Sequence, residues 1–311
     1  MNWAHVHLLL NHFPTVGMVV GLGLFVTALA ARSDDLKRAS LGVFFFIALL
    51  SIPTFVTGTS ARLALEKTPG VSKAMIDTHE TAAFEALWFM ELTGALGWWG
   101  LWQYRRLSRV PRGTLTAVLL VGLASFSMMA RASYIGGQIR HPEVRTGPAP
   151  VDPPAEQPLA RVIGDAMVNY TWTWAASETV HFIGLSLLFG VVLLVDLRML
   201  GLLKAIPFPV LHRLLPWGVL GFGVNVVTGI LFFIGAPPGF YVTNAVFFWK
   251  LGLILVAGAN ALYFTVFDQP WTLGANDTPP LAAKVAAASG ILLWTGVIFC
   301  GQMLPFIGHS F

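Results

Sequence analysis

The chain has 311 residues, of which 56% are hydrophobic and only 11% are charged, and its formal net charge is +4. A soluble protein of this length could not bury so much apolar surface, whereas a lipid bilayer solvates it. The single cysteine, Cys300, excludes an intramolecular disulfide, the attachment of a c-type haem and an iron–sulfur cluster held by cysteines. The modest net charge does not indicate nucleic-acid binding.

Long apolar segments separated by polar residues predict an all-α integral membrane protein with eight transmembrane helices. The predicted spans are 8–31, 40–62, 81–104, 114–136, 171–200, 212–235, 241–267 and 282–307. The N-terminal segment has no basic region and no small-residue cleavage site, so we expect the first span to be retained. Short connections such as SDDLKR make neighbouring helices antiparallel.

A segment rich in proline and charge divides the predicted spans into two sets of four. It covers residues 139–168, between an N-terminal module of residues 1–138 and a C-terminal module of residues 169–311. We therefore expect two four-helix bundles that are joined by a linker on the outer side of the membrane.

Lysine and arginine are distributed unevenly between the two sides of the predicted membrane. They are more frequent in the loops after spans one, three, five and seven than in the alternate loops, and the loop GAPPGFYVTN has no charge. Because cytoplasmic loops are enriched in these residues, the pattern predicts a bacterial cytoplasmic membrane protein with both termini in the periplasm.

All the histidines except His212 lie at one predicted level, on the outer side. They are His5, His7, His12, His79, His141, His181 and His309. An imidazole near hydrocarbon costs free energy unless it is paired or ligated. Two neutral imidazoles that face each other inside a helical bundle are natural axial ligands of a b-type haem. The pattern therefore indicates haem binding near the outer face.

Interfacial anchoring is the alternative role for each histidine, and the eleven tryptophans indicate that the chain uses such anchors. We expect this role for His5, His141 and His212. His309 is either a ligand or part of a frayed end, because it lies two residues before the C-terminal Phe311.

His12, His79 and His181 are the favoured ligands of a haem iron, because each is followed directly by an apolar helical stretch. His7 is an alternative to His12. These two residues are five apart, which is roughly 140° around a helix, so both cannot face one bundle centre at the same depth. The sequence leaves open which of them binds the iron.

Haem propionates require cations near the interface, and the candidates in the outer half are Arg62, Arg131 and Lys250. Lys250 lies about 13 Å into the seventh span, where a lysine must snorkel, pair with a carboxylate or contact a ligand. The carboxylates considered as its partners are Glu85, Glu91 and Glu178.

The stretch His7-Leu-Leu-Leu-Asn-His12-Phe-Pro resembles the HPxxVHFP opening of an uncharacterised family of four-helix bacterial membrane proteins, with Leu8 in place of the first proline. The C-terminal half, with TVHFIGLSLLFG, VDLRMLGLL and FFWKLGLILVAGANALYF, resembles a second uncharacterised four-helix family. Both families are similar in architecture to di-haem cytochrome b membrane subunits. The resemblance implies haem ligation through His12, His79 and His181, although Thr265 stands where relatives carry a histidine.

These observations predict a haem b-binding electron-transfer subunit of a larger respiratory or photosynthetic complex. It would hold one or two haems and relay electrons between quinol and a periplasmic partner, such as a c-type cytochrome or a peripheral oxidoreductase. A bound quinone and contacts with other membrane subunits belong to the same prediction. We do not expect an enzyme by itself, because the chain has no catalytic apparatus for a soluble substrate.

Two other classes of protein stay open. A cofactor-free structural or assembly subunit would use its histidines as interface anchors and its proline-rich loop as a docking surface. A copper-handling or transport protein would use the N-terminal histidines together with Met128 and Met129, because imidazole and thioether groups suit copper.

Overall fold

The computed structural model describes residues 3–66, 68–69, 71–141, 158–237, 239–266 and 269–307, and every regular element in them is helical. The α-helices are α1 (Trp3–Leu10), α2 (His12–Ala30), α3 (Asp34–Leu65), α4 (Lys73–Leu107), α5 (Arg112–Arg140), α6 (Leu159–Asn169), α7 (Thr171–Met199), α8 (Phe208–His212), α9 (Leu215–Gly235), α10 (Ala245–Val266) and α11 (Leu281–Met303). A 3₁₀ turn covers Gln269–Thr272.

Seven helical segments are long and apolar enough to cross a membrane, judged by length and composition. They are Trp3–Ala30, Asp34–Leu65, Arg112–Ile139, Thr171–Met199, Phe208–Gly235, Ala245–Tyr263 and Leu281–Met303. Each overlaps one of the predicted spans. The prediction of an all-helical, multi-pass membrane protein is therefore confirmed.

The remaining predicted span, residues 81–104, lies within α4, which is not among the seven segments. Seven of the eight predicted spans therefore meet the criterion of length and composition, which does not confirm the eighth. The reason lies in the residues of α4, where Glu85 and Glu91 interrupt the apolar pattern and glycine and tryptophan lower the mean hydropathy.

The chain folds as two compact units, Met1–Val162 and Ile163–Phe311. We call them unit 1 and unit 2. Residues 142–157 of the predicted linker lie outside the described residues. The part of that linker from residue 159 onwards belongs to α6, which begins at Leu159, directly after Pro158, whose fixed φ suits the start of a helix.

The sequence marks the starts of α3 and α4 clearly. Ser33 accepts a hydrogen bond from the Leu36 amide at 3.3 Å, and Asp34 and Asp35 occupy the first turn of α3. Ser72 caps α4 in the same way, through the amide of Met75 at 3.4 Å. A serine cap satisfies an unpaired amide, and carboxylates near a helix N-terminus interact favourably with the helix dipole.

In unit 1 each long helix packs against the next one in the chain, and the last of them, α5, also packs against the first, α2. The packed pairs are α2 with α3, α3 with α4, α4 with α5, and α5 with α2, while α1 packs on α3. Glycine allows the closest of these contacts, because a Cβ at Gly97 on α4 would stand 2.8 Å from the Leu41 carbonyl oxygen on α3. Such small residues are typical of interfaces between membrane helices.

In unit 2, α7 packs against α9 and α11, and α10 packs against α11. Gly221 on α9 gives close contact with α7, since a Cβ there would stand 2.6 Å from the carbonyl oxygen of Gly184. Arg198, at the end of α7, is fully buried. Its guanidinium donates to the carbonyl oxygens of Ile206 at 2.7 Å and Gly274 at 2.9 Å, and so fixes the loops at that end of the unit.

Candidate functional site

His7 is half-buried in unit 1, and the neighbouring helix α3 holds its ring. Its Nδ1 lies 2.9 Å from the carbonyl oxygen of Thr54, which can only accept a hydrogen bond. The proton of the neutral ring is therefore on Nδ1, and Nε2 carries a lone pair. The ring also lies beside Gly58 of α3, where a Cβ would stand 3.3 Å from its Cε1 atom.

His79, on α4, has the same local environment on a different helix. Its Nδ1 donates to the carbonyl oxygen of Ala132 on α5 at 3.0 Å, which again leaves the lone pair on Nε2. The ring lies beside Gly136, where a Cβ would stand 2.9 Å from Cε1 and 3.1 Å from Nδ1. Any side chain at Gly136 would therefore displace the ring.

The two histidines share one arrangement, which we call the carbonyl–glycine support. In each case the carbonyl that accepts the Nδ1 proton lies four residues before the glycine beside the ring, Thr54 with Gly58 and Ala132 with Gly136. Unit 1 therefore contains a pair of half-buried imidazoles, each held in one tautomer by the backbone of an adjacent helix.

The structure brings His7, and not His12, into this pair. His12 is exposed on α2, and His5 is exposed on α1. The helix is interrupted between the two candidates, because Pro14 has no amide proton to donate to the carbonyl of Leu10, where α1 ends.

His181 lies in unit 2, half-buried on α7. The hydroxyl of Thr228 donates to the Val224 carbonyl at 2.7 Å, so its oxygen accepts the Nδ1 proton of His181, also at 2.7 Å. The ring packs edge-on to Phe232, with 5.4 Å between centroids. Lys250 is close enough to interact electrostatically with this imidazole.

The other histidines lie elsewhere. His141 is exposed directly after α5, and His309 lies outside the described residues. His212 is buried and packs against Trp271, with 4.7 Å between ring centroids.

The predicted propionate partner Arg62 pairs with carboxylates. It donates to Glu66 at 2.9 Å and lies 3.3 Å from Glu80. Arg161, which the sequence analysis did not single out, joins the same group through Asp77 at 3.0 Å and Glu80 at 3.5 Å. Burial raises the pKa of Glu80 above its ordinary value, against the opposing effect of the two arginines.

Arg131 also has a carboxylate partner, Glu85, at 2.5 Å. Glu91 accepts a hydrogen bond from the buried Ser51 hydroxyl at 2.8 Å, so the two acidic residues of the third predicted span have partners within unit 1. Lys250 is half-buried in unit 2, with its Nζ 3.5 Å from the position that a Cβ at Gly301 would take. Glu178, the third suggested partner of this lysine, is exposed.

Within the described ranges no group of three or more His, Cys, Asp or Glu side chains could hold a metal ion. Met128 and Met129 are partly buried and pack against alanines of α4 and α5. The arrangement leaves the Nε2 atoms of His7 and His79 as candidate donors in unit 1.

The residues that hold the imidazoles carry little signal in the sequence. Thr54 and Ala132 act through their carbonyl groups, which carry no side-chain signal, and Gly58 is one of many glycines in the chain. The adjacent pair Gly136 and Gly137 was a visible signal, since two consecutive glycines weaken a helix and indicate a packing requirement.

The fold and composition thus define a multi-pass membrane protein, and unit 1 carries a half-buried pair of histidines. Residues 155–309 match a family that is described as a family of unknown function, DUF6644. The chain matches no curated protein and no solved structure.

Proposed function

We propose that the chain is a haem b-binding membrane protein in which His7 and His79 are the two axial ligands of one haem in unit 1. The carbonyl–glycine support of each ring carries this proposal. Histidines that bind a metal through Nε2 usually donate their Nδ1 proton to a carbonyl or carboxylate, because that bond fixes the tautomer and orients the ring. The donor set fits a haem with two axial histidines, and a haem supplies a reversible one-electron couple.

Each residue of the site has a defined task in this proposal. His7 and His79 present Nε2 lone pairs to the iron. The carbonyl groups of Thr54 and Ala132 keep the proton on the opposite nitrogen, which increases the basicity of the ligand. Gly136 leaves the space in which the ring of His79 lies against α5.

The proposal includes α4 as an eighth span, which gives two four-helix membrane bundles. The 35 residues of α4 rise about 52 Å, well beyond a hydrocarbon core of about 30 Å. Its two acidic residues inside the predicted span have partners, Arg131 for Glu85 and Ser51 for Glu91, which lowers the cost of burying them. The lysine and arginine bias supports periplasmic termini in a bacterial cytoplasmic membrane.

The position of the pair supports a role in electron transfer at one membrane surface. His7 lies near the start of α1 and His79 near the start of α4, both close to the predicted outer end of their spans. A carrier at this depth can exchange electrons with a quinol dissolved in the bilayer. The acceptor is a periplasmic partner, a c-type cytochrome or a peripheral oxidoreductase, within a larger complex.

A cofactor-free assembly subunit is the second candidate function, and one observation favours it. The predicted propionate partners Arg62 and Arg131 are bound to carboxylates of unit 1. In such a protein the histidine pair would stabilise the packing of α1, α3, α4 and α5 through its backbone hydrogen bonds.

The experiment that separates the two functions is a reduced-minus-oxidised absorption spectrum of the full-length protein. The protein is purified in detergent from cells that are supplied with a haem precursor. We expect a b-type α-band and about one haem per chain, as for one bis-histidine site. A folded, monodisperse protein without an α-band would contradict haem binding and support the assembly function.

Replacement of Gly136 by alanine should disturb the haem without unfolding the protein. The new Cβ would stand 2.9 Å from Cε1 of His79, so the ring must move by several tenths of an ångström and its bond to Ala132 must distort. We expect a lower haem content or a shifted midpoint potential in a redox titration. Gly137→Ala is the matched control, because a Cβ there has no atom within 4 Å. Equal effects of the two substitutions would refute the role of Gly136.

A further inference from the structure

Unit 2 contains a buried carboxyl group with no apparent counter-charge. Asp196, on α7, is 2% exposed, and its Oδ2 atom has no hydrogen-bond partner in the described part of the chain. An ionised carboxylate in an apolar environment is strongly unfavourable unless a cation or several donors compensate it. The carboxyl group therefore either carries a proton or binds a cation.

Three helices meet at this carboxyl group. A Cβ at Gly290 of α11 would stand 2.6 Å from Asp196 Oδ2 and 3.1 Å from Asn260 Nδ2, so the carboxyl and the amide adjoin the same glycine. The amide of Asn260, on α10, donates to the Ala286 carbonyl at 2.9 Å and lies 3.4 Å from the Ser289 hydroxyl. The site is thus lined by uncharged polar groups.

The titratable residues of α7 and α8 near Asp196 contact other groups. Arg198, two residues along α7, directs its guanidinium to the carbonyls of Ile206 and Gly274. His212 of α8 packs on Trp271. Among the described residues, the titratable side chains towards this end of α10 and α11 are Tyr263 and Lys284.

We propose that Asp196, together with Asn260 and Ser289, forms a proton-binding site in unit 2. The neutral acid removes the cost of a buried charge, in a site lined by the uncharged polar groups of Asn260 and Ser289. A metal cation would need more oxygen ligands than one carboxylate, one amide and one hydroxyl supply. Gly290 provides the space for the carboxyl group. The site is independent of the proposed haem, which lies in unit 1.

A lipid-soluble carbodiimide tests this proposal on the full-length protein in membranes. Dicyclohexylcarbodiimide reacts with a neutral carboxylic acid, whose O–H adds across a C=N bond before the product rearranges to a stable N-acylurea. We expect peptide mass spectrometry to find the adduct on Asp196 at neutral pH, whereas the exposed Asp34 stays unmodified. Asp196→Asn should lack the adduct at this position. Absence of the adduct from Asp196, or its prevention by sodium but not by choline chloride, would overturn the proton assignment.

The stability of the Asp196→Asn variant gives a second measurement that does not depend on reagent access. Asparagine has the shape of the neutral acid, so we expect the thermal midpoint of this variant at neutral pH to equal or exceed that of the parent protein. In alkaline buffer the parent protein should lose stability relative to the variant, because its carboxyl group must then ionise. A marked loss of stability of the variant at neutral pH would show a charged, partnered carboxylate and overturn the proposal.

Discussion

Replacement of His79 by alanine is expected to remove nearly all haem from the protein, whereas replacement of His12 should leave the haem content unchanged. His79 and His7 are the half-buried pair of unit 1, and each presents Nε2 with Nδ1 bound to a backbone carbonyl. Without one axial ligand, the haem loses one of its two iron–histidine bonds. No covalent bond to cysteine retains a b-type haem, so it should dissociate during purification. The haem-to-protein ratio after purification, measured from the α-band, gives the result.

The control is matched in chemistry and position. His12 is the same residue type, five positions from His7, but its side chain is exposed. His7→Ala should behave as His79→Ala, and size-exclusion chromatography should show all three variants folded. Loss of haem in His12→Ala with retention in His7→Ala would assign the ligand to His12, as the resemblance implies, and contradict the pair described above.

Replacement of Arg198 by alanine should strongly destabilise unit 2. The side chain is fully buried, lies over the ring of Phe208 at 4.4 Å, and donates to backbone carbonyls of two loops. Its removal leaves these partly buried acceptors unpaired, at up to about 1–3 kcal/mol each, and also opens a cavity. We expect a loss of about 3 kcal/mol or more in the free energy of unfolding.

Denaturation in detergent, followed by circular dichroism, measures this loss. Arg213→Ala is the control, because Arg213 is exposed and lies in the same end region of unit 2. Arg198→Lys should restore little stability, since one ammonium group cannot reproduce the planar set of guanidinium donors. A thermal midpoint of Arg198→Ala equal to that of the control variant would refute the structural role of this arginine.

The helices could be predicted from the sequence because long apolar segments have few other structures available in a membrane. Helix α4 was also predicted, over residues 81–104, although its acidic residues reduce its hydropathy below the level typical of a membrane span. Those residues are accommodated by tertiary partners, Arg131 for Glu85 and Ser51 for Glu91. Such pairings join residues far apart in the sequence, so composition alone cannot reveal them.

The candidate site could be predicted only in part, for similar reasons. The cluster of histidines at one level was visible in the sequence, but the choice between His7 and His12 depends on the interruption before α2, which begins at His12. The acceptors of the Nδ1 protons are backbone atoms, and no residue type encodes them. Asp196 was visible in the sequence as an acid within an apolar helix. Only the tertiary structure shows that it lies next to Gly290 and Asn260 and that no hydrogen-bond donor reaches its Oδ2 atom.

The carbonyl–glycine support also has a consequence for engineering. Because the acceptor is a main-chain oxygen, no side-chain replacement at Thr54 or Ala132 can delete it. Substitutions at these two positions should therefore leave the orientation of each imidazole unchanged. Only the glycine four residues later is constrained. The motif is therefore transferable to a designed bundle. It needs a histidine on one helix and, on the neighbouring helix, any residue whose carbonyl faces the histidine, with a glycine four positions later. Such a histidine would be a ligand of fixed tautomer.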